Sequence, residues 1–305
     1  MLKLKKLYLQ NYCGYQDAEF DFTRPDGSIK PISVFFGPNG CGKSTCLNAV
    51  DLLGNAQQFM GRDNDLVFRK MTFHPDYDPT LPHFAKHEVE MSIRGVFEAD
   101  GEEKIVELSS TRGVVANELA SWRNIVYIDA DHPMNMKKFQ LPADRAELFL
   151  DIAETVYGYH VSLGKAVATY EENWDGRSDT YEKFSKGDLG GEKYDYFLDL
   201  TIDKGDAIVH FKSMSDGERK IATLLRNLCD PVVIDRSDVV MVDNIEMHIY
   251  FKRHAKMIDK LVACFPEKQF IVTTHSGIMI DHIGKTFGED CLFDVPTIKG
   301  QPLLD

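Results

Sequence analysis

In the opening segment LKLKKLYLQNY, Leu2, Leu4, Leu7 and Leu9 alternate with polar residues, with one slip in phase, as a half-buried strand does. Ala18–Phe22 (AEFDF) alternates again, and Gly14 and Pro25-Asp26-Gly27 supply turns on either side. Ile32–Phe36 (ISVFF) is a short apolar run ending at a Gly-Pro-Asn-Gly loop, and Lys43–Leu53 behind it has helical spacing. Residues 55–85 carry several Pro, Asp and Asn residues and read as a loop-rich connection. Glu88–Ser110 gives two strand patterns around the hairpin pair Asp100-Gly101, and Ile125–Ile128 predicts another strand. Residues 143–186 read as mostly helical, broken by the turn cluster Asn173–Ser178. Tyr196–Ile202 and Ala207–Phe211 predict strands around Asp203-Lys204-Gly205. From Met214 the order is helix, strand (Val239–Val242), helix, strand (Phe270–Thr273), helix. Strand and helix alternate at both ends while the middle is antiparallel and helical. The pattern predicts an α/β core built from residues 1–55 and 205–305, with 56–204 inserted as a β and helical lobe.

Composition narrows the class. The 305 residues are 43% hydrophobic and 27% charged, the mix of a globular protein with a real core. Lys and Arg total 35 against 48 Asp and Glu, a net charge of −13, which disfavours one broad basic face on nucleic acid. No run reaches the ~18 apolar residues of a membrane span, and the basic N-terminus turns polar before a signal-type stretch forms. The six cysteines are scattered without a C-x-x-C pair, the usage of free thiols in a reducing compartment, so the expected location is cytoplasmic, with no membrane partner.

Gly37-Pro38-Asn39-Gly40-Cys41-Gly42-Lys43-Ser44 fits G-x-x-x-x-G-K-[ST] at every fixed position, and it lies between an apolar strand and a helix, where that motif works. Glycines let the backbone curl so that its N–H groups point at phosphate oxygens, and the helix N-terminus adds positive potential. The candidate ATP-binding residues are Asn39, Gly40, Cys41, Gly42, Lys43, Ser44 and Thr45. Lys43 is placed to neutralise the β/γ-phosphates and Ser44 to put its hydroxyl on Mg²⁺.

Three later segments refine the class. Ser213-Met214-Ser215-Asp216-Gly217-Glu218 opens a helix and resembles the ABC signature; Val239–Asp243 is a Walker B strand ending in a carboxylate for Mg²⁺. Phe270–Ser276 ends in the Thr-Thr-His-Ser of an ABC switch histidine, His275. With Leu7-Tyr8-Leu9-Gln10-Asn11-Tyr12 and Asp243-Asn244-Ile245-Glu246, these segments resemble the SMC/RecF/OLD branch of ABC ATPases over residues 1–55 and 205–285. The resemblance implies an α/β fold: an ABC-type P-loop NTPase head with an antiparallel β subdomain and an inserted helical lobe. It also implies ATP and Mg²⁺ as cofactors and a homodimer or higher oligomer closed through ATP. In that arrangement Ser215, Asp216, Gly217 and Glu218 act in trans, and His275 reads the γ-phosphate.

Two departures shape the functional expectation. The insertion lacks a long heptad region, and only 30 residues follow His275, too few for a Toprim nuclease domain. The chain is therefore similar to stand-alone ATPases of bacterial anti-phage systems, Septu and retron modules among them, which implies a separate effector protein such as a nuclease. Asn244 stands where the branch has its catalytic Glu, and an amide has no useful basicity; losing a general base costs on the order of 10²–10⁴-fold. Slow or absent hydrolysis follows, with Asn244 orienting water weakly and Glu246, two residues on, the carboxylate that could substitute. The alternative is an actively hydrolysing DNA-repair ATPase of RecF kind.

Lys252, Arg253, Lys256 and Lys260 form a basic strip on the helix after Walker B, a surface for nucleic acid or simply a solvated face. Asp129 and Asp131 read as turn formers more readily than as a metal pair. His83 and His87 have i, i+4 spacing without the Glu of a zinc motif. Gln57-Gln58 is the only glutamine pair near the first helix, too close to it for the Mg²⁺-contacting glutamine of ABC heads.

Overall fold

The computed structural model describes residues 1–62, 67, 70–71, 90–119, 124–130, 139–166, 181–184, 196–197 and 199–299. The elements run β1 (Leu2–Tyr12), β2 (Tyr15–Asp21), β3 (Ile32–Phe36), α1 (Lys43–Gly54), β4 (Ser92–Ala99), β5 (Glu102–Ser109), β6 (Gly113–Asn117) and β7 (Ile125–Asp129). They continue with β8 (Leu141–Pro142), α2 (Ala146–Tyr157), β9 (His160–Ala166), β10 (Tyr181–Phe184), β11 (Tyr196–Phe197), β12 (Asp199–Asp203) and β13 (Ile208–His210). The last are α3 (Asp216–Cys229), α4 (Pro231–Ile234), β14 (Val239–Asp243), α5 (His254–Cys264), β15 (Gln269–Thr274), α6 (Gly277–Phe287), β16 (Leu292–Asp294) and α7 (Val295–Ile298). Packing divides the chain into two compact units, Met1–Tyr127 with Ser237–Asp243 and Glu267–Asp305, and Ile128–Arg236 with Asn244–Pro266.

The first unit holds two sheets. Its antiparallel sheet has the order β2-β1-β4-β5-β6. The slip in the leucine alternation of β1 is a β-bulge: the register against β4 shifts between Leu4 and Lys6, so Leu2, Leu4, Leu7 and Leu9 all face inward. Asp100 and Gly101 join β4 to β5 with φ of 53° and 82°, both left-handed as a type I′ turn demands. The second sheet runs β16-β3-β15-β14-β7, with β16, β3, β15 and β14 parallel. The central strands β14 and β15 are buried along their whole length, and Val239–Val242 and Phe270–Val272 within them are continuous apolar runs. Phe20, Phe22, Phe35 and Phe293 pack edge-to-face or stacked at 5.0–6.3 Å between ring centroids. The buried Gln269 side chain accepts from the Leu4 N–H and donates to the Leu4 carbonyl, both at 2.8 Å.

Register positions the chemistry. Val242 lies opposite Val272, and Thr274 opposite Phe36. The carboxyl ends of β3, β14 and β15 are therefore level, and the loops that leave them share one sheet edge, where open α/β sheets bind ligands.

In the second unit, β10-β9-β12-β13 form an antiparallel sheet, and β8 pairs with β11. Helix α2 packs on α3 and α5, and Phe139 contacts Phe149 and Phe211 at 5.2 and 5.7 Å. Of the span expected to be mostly helical from 143 to 186, the described residues form an α-helix over 146–157, preceded by a 3-10 turn at 143–145. Gly158, left-handed at φ 74°, ends α2, and β9 and β10 follow as strands. Strands β4–β6 extend the β1 sheet, and residues 205–236 pack with the second unit.

Candidate functional site

The phosphate loop leaves β3 at Phe36 and enters α1 at Lys43. Gly37, Gly40 and Gly42 have φ of 141°, 75° and 109°, a run of conformations that only glycine adopts without strain. A Cβ at Gly37 would stand 2.7 Å from the Pro296 ring and 2.9 Å from the Cys41 sulfur, whereas one at Gly40 would meet nothing within 4 Å. The loop is thus packed at its base and open at its tip. The Lys43 ammonium, nearly buried, donates to the Gly37 and Pro38 carbonyls at 3.0 and 3.1 Å, so it already arches over the loop. Ser44 and Thr45, half-buried, follow it in the first turn of α1. No side chain caps this helix, which leaves its first N–H groups to a ligand.

Asp243, the last residue of β14, is 4% exposed. Thr273 of β15 donates to its Oδ1, and Tyr127 of β7 donates to its Oδ2 at 3.0 Å. These two hydroxyls fix the carboxylate without neutralising it, which suits an outer-shell role at a hydrated cation. The donor set fits Mg²⁺: one hydroxyl on the phosphate loop and one buried, oriented carboxylate on the next strand but one. The sequence pattern points to neither Tyr127 nor Thr273. Tyr127 lies in the middle of β7 and Thr273 near the carboxyl end of β15, the two strands beside β14, and only the sheet order reveals them.

Asn244 continues from Asp243 with φ 52°. Asn is among the few non-glycine residues that tolerate this left-handed region. Glu246 follows in the same turn, half-buried. His275 leaves β15 exposed, and Ser276 behind it caps α6 by accepting from the Met279 N–H at 3.2 Å.

In the second unit, the signature is the N-terminus of α3. Ser215 accepts from the Glu218 N–H, and Glu218 accepts from the Ser215 N–H at 2.9 Å and from its hydroxyl at 2.8 Å, a complete capping box. Lys204 pairs with Glu218 at 2.6 Å. Burial pushes the Glu218 carboxyl up, but the bonds from Lys204 and Ser215 outweigh it and hold the group below its ordinary value. Asp216 is exposed and paired with Arg219. Gly217 lies against His248, whose ring a Cβ at Gly217 would approach at 3.5 Å.

The basic strip is not continuous. Lys252 and Arg253 precede α5 in a 3-10 turn, the Arg253 guanidinium packs on Gly158, and Lys260 is paired with Asp151. Lys256 remains exposed. Gln57 accepts from Asn117 and Gln58 donates to Asn55, both at 3.0 Å. His83, His87 and Asp131 lie outside the described residues. Among the described residues there is no cluster of three or more metal-ligating side chains, and no helix is long and apolar enough to cross a membrane.

Comparison with known proteins agrees with this architecture. The chain is 20% identical over 302 residues to the Septu protein PtuA of Bacillus mycoides, covering 91% of this chain and 38% of that protein. It is 30% identical over 88 residues to the Retron Ec83 probable ATPase of Escherichia coli, covering 26% of this chain and 16% of that one. The chain thus spans well under half the length of these relatives. Among solved structures, the SMC head domain from Thermotoga maritima superposes with TM-score 0.51 at 17% identity, covering 92% of both chains. An SMC head bound to the C-winged helix domain of ScpA superposes with TM-score 0.55 at 14% identity, covering 92% of this chain and 91% of that one. The fold is that of an SMC-type ATPase head. The profile of the AAA ATPase domain family matches residues 2–225, well over half of the sequence, and the chain belongs to that family.

Proposed function

We propose that this chain is an ATP-binding head whose ATP-bridged dimer is long-lived, and that it serves as sensor or scaffold for a separate effector, a nuclease, in anti-phage defence. The observation that carries the reading is Asn244, directly after the Walker B carboxylate, in a backbone conformation that suits Asn better than Glu. In this reading the phosphate loop and Lys43 bind the triphosphate, Ser44 and Asp243 hold its Mg²⁺, and His275, the residue after β15, reads the γ-phosphate. Bound ATP-Mg²⁺ supplies the electrophilic phosphorus and the charge that draws two protomers together. Asn244 can hydrogen-bond a water but cannot take its proton, so the bridge persists. Ser215 and Gly217 close the second protomer's site in trans. The effector role rests on similarity to a Septu protein and to retron ATPases.

The test is steady-state ATP turnover of the wild type beside Lys43→Ala, Asn244→Glu and Asn244→Asp, the last keeping a side chain that tolerates the left-handed backbone. The expected outcome is wild-type turnover near that of Lys43→Ala, with a carboxylate at 244 raising it by roughly 10²-fold. Wild-type turnover of about 1 s⁻¹ or faster, with little gained at 244, defeats the reading. DNA-stimulated turnover would instead mark a repair-type ATPase.

A further inference from the structure

Lys299 follows α7 and reaches back to the phosphate loop. Its ammonium lies 4.1 Å from the centroid of the Tyr15 ring. It would stand 2.5 Å from a Cβ at Gly42 and 3.3 Å from one at Gly14, so both glycines leave the space it occupies. Tyr15 is itself tied to the loop, donating to the Gly42 carbonyl at 3.0 Å and accepting from the Cys46 thiol at 3.0 Å. The residues that bring Lys299 there are fixed: β16 pairs with β3, and Pro296 packs on Gly37. Among the described residues no carboxylate pairs with Lys299, and its nearest aromatic face gives only partial compensation for a cation drawn into the protein. Its field reaches the Cys13 and Cys46 thiols on either side of Tyr15, opposing the burial that dominates each.

A half-buried lysine with an aromatic seat, placed against the glycine that begins the phosphate-binding helix, has one chemistry to offer. We propose that Lys299 is a second phosphate-binding lysine of this site, adding to Lys43 from the opposite end of the chain and contacting the polyphosphate of the nucleotide. This inference rests on the nucleotide-binding reading of the phosphate loop. Tyr15 seats the Lys299 ammonium on its ring and donates to the Gly42 carbonyl, so the cation is positioned beside the loop before the nucleotide arrives and little side-chain entropy is lost on binding.

The experiment is calorimetric titration of the full chain with ATPγS and with ADP, for the wild type, Lys299→Met, Lys299→Arg and Lys43→Ala. Lys299→Met keeps an unbranched chain beside Tyr15 and removes the charge. The expected result is roughly tenfold weaker binding for Lys299→Met, the worth of one charge-assisted hydrogen bond to phosphate, with most of it restored by Lys299→Arg. The gap should close in about 1 M salt, where screening acts within about 3 Å. A gap that persists unchanged at high salt means the residue only props the loop, and overturns the inference. So does binding of Lys299→Met within twofold of wild type while Lys43→Ala fails to bind. If Lys43→Ala also binds normally, the nucleotide reading falls, and this inference with it.

Discussion

Helix α1 begins at Gly42 with no side-chain cap and no acidic residue in its first turn, while α3 begins at Ser215 with a capping box and two acidic residues in its first turn. The same elementary problem, four unpaired N–H groups at a helix start, is handled in opposite ways. At α3 the protein satisfies donors itself, and the helix start is stable on its own terms. At α1 it leaves them open, with the Lys43 ammonium on the Gly37 and Pro38 carbonyls and the Lys299 ammonium beside Gly42. An uncapped helix start costs stability until an anion arrives, so the contrast separates a place built to receive phosphate from one built to be a firm surface. Where Ser215 is to act on a second protomer's nucleotide, it must share a hydroxyl that Glu218 already engages.

The largest expected break of this contrast is Gly42→Ala. The left-handed φ of 109° does not suit alanine, and the new methyl would sit on the Lys299 ammonium. Strain of about 1–3 kcal/mol, at about 1.4 kcal/mol per decade, predicts roughly one to two decades of lost ATP affinity, read by titration.

Ser215→Ala comes next. Losing the cap should cost about 1 kcal/mol of stability in denaturant unfolding, with nucleotide affinity of the isolated protomer unchanged. Its pH dependence follows from Glu218, whose carboxyl is held below its ordinary value. A depressed carboxylate contributes stability above its unfolded pKa and loses it as pH falls through the folded one. The difference between wild type and Glu218→Gln should therefore be full at neutral pH and vanish in acid. A constant difference across that range would show that the capping box carries no charge-dependent part.

The smallest effect belongs to Gly217→Ala. Gly217 is helical, and a methyl there makes an ordinary 3.4 Å contact with His248. Alanine favours a helix over glycine by roughly 0.5–1 kcal/mol, so thermal unfolding should be unchanged or slightly later. Read on one scale, thermal unfolding, Gly42→Ala should lower stability and Gly217→Ala should leave it unchanged or raise it, and equal damage from both would refute the distinction between the two helix starts.

Much of this is legible in the sequence because it is local. The phosphate loop is a contiguous string between a strand and a helix, and Asp100-Gly101 announces its own turn. Val239–Asp243 and Phe270–Thr273 are apolar enough to require burial on both faces. What is illegible depends on sheet order. Tyr127 and Thr273 meet Asp243 from strands 116 and 30 positions away in the chain. Lys299 reaches Tyr15 from the other end of the sequence. Neither distance leaves a spacing to read. The strand β9 is hidden for another reason: HVSLGKA is short, and the strong helical period of Ala146–Tyr157 before it carries a reader past the turn at Gly158.

The Gln269 amide, which engages both backbone groups of Leu4, has a consequence for how the first unit opens. At that point the side chain stands in for a peptide group, so β1 is stitched to β15 by an antiparallel-like pair of bonds from a single residue. The Leu4 proton can then trade with solvent only when two sheets part together. In deuterium labelling it should be among the slowest in the chain, a clock for the opening of the whole unit.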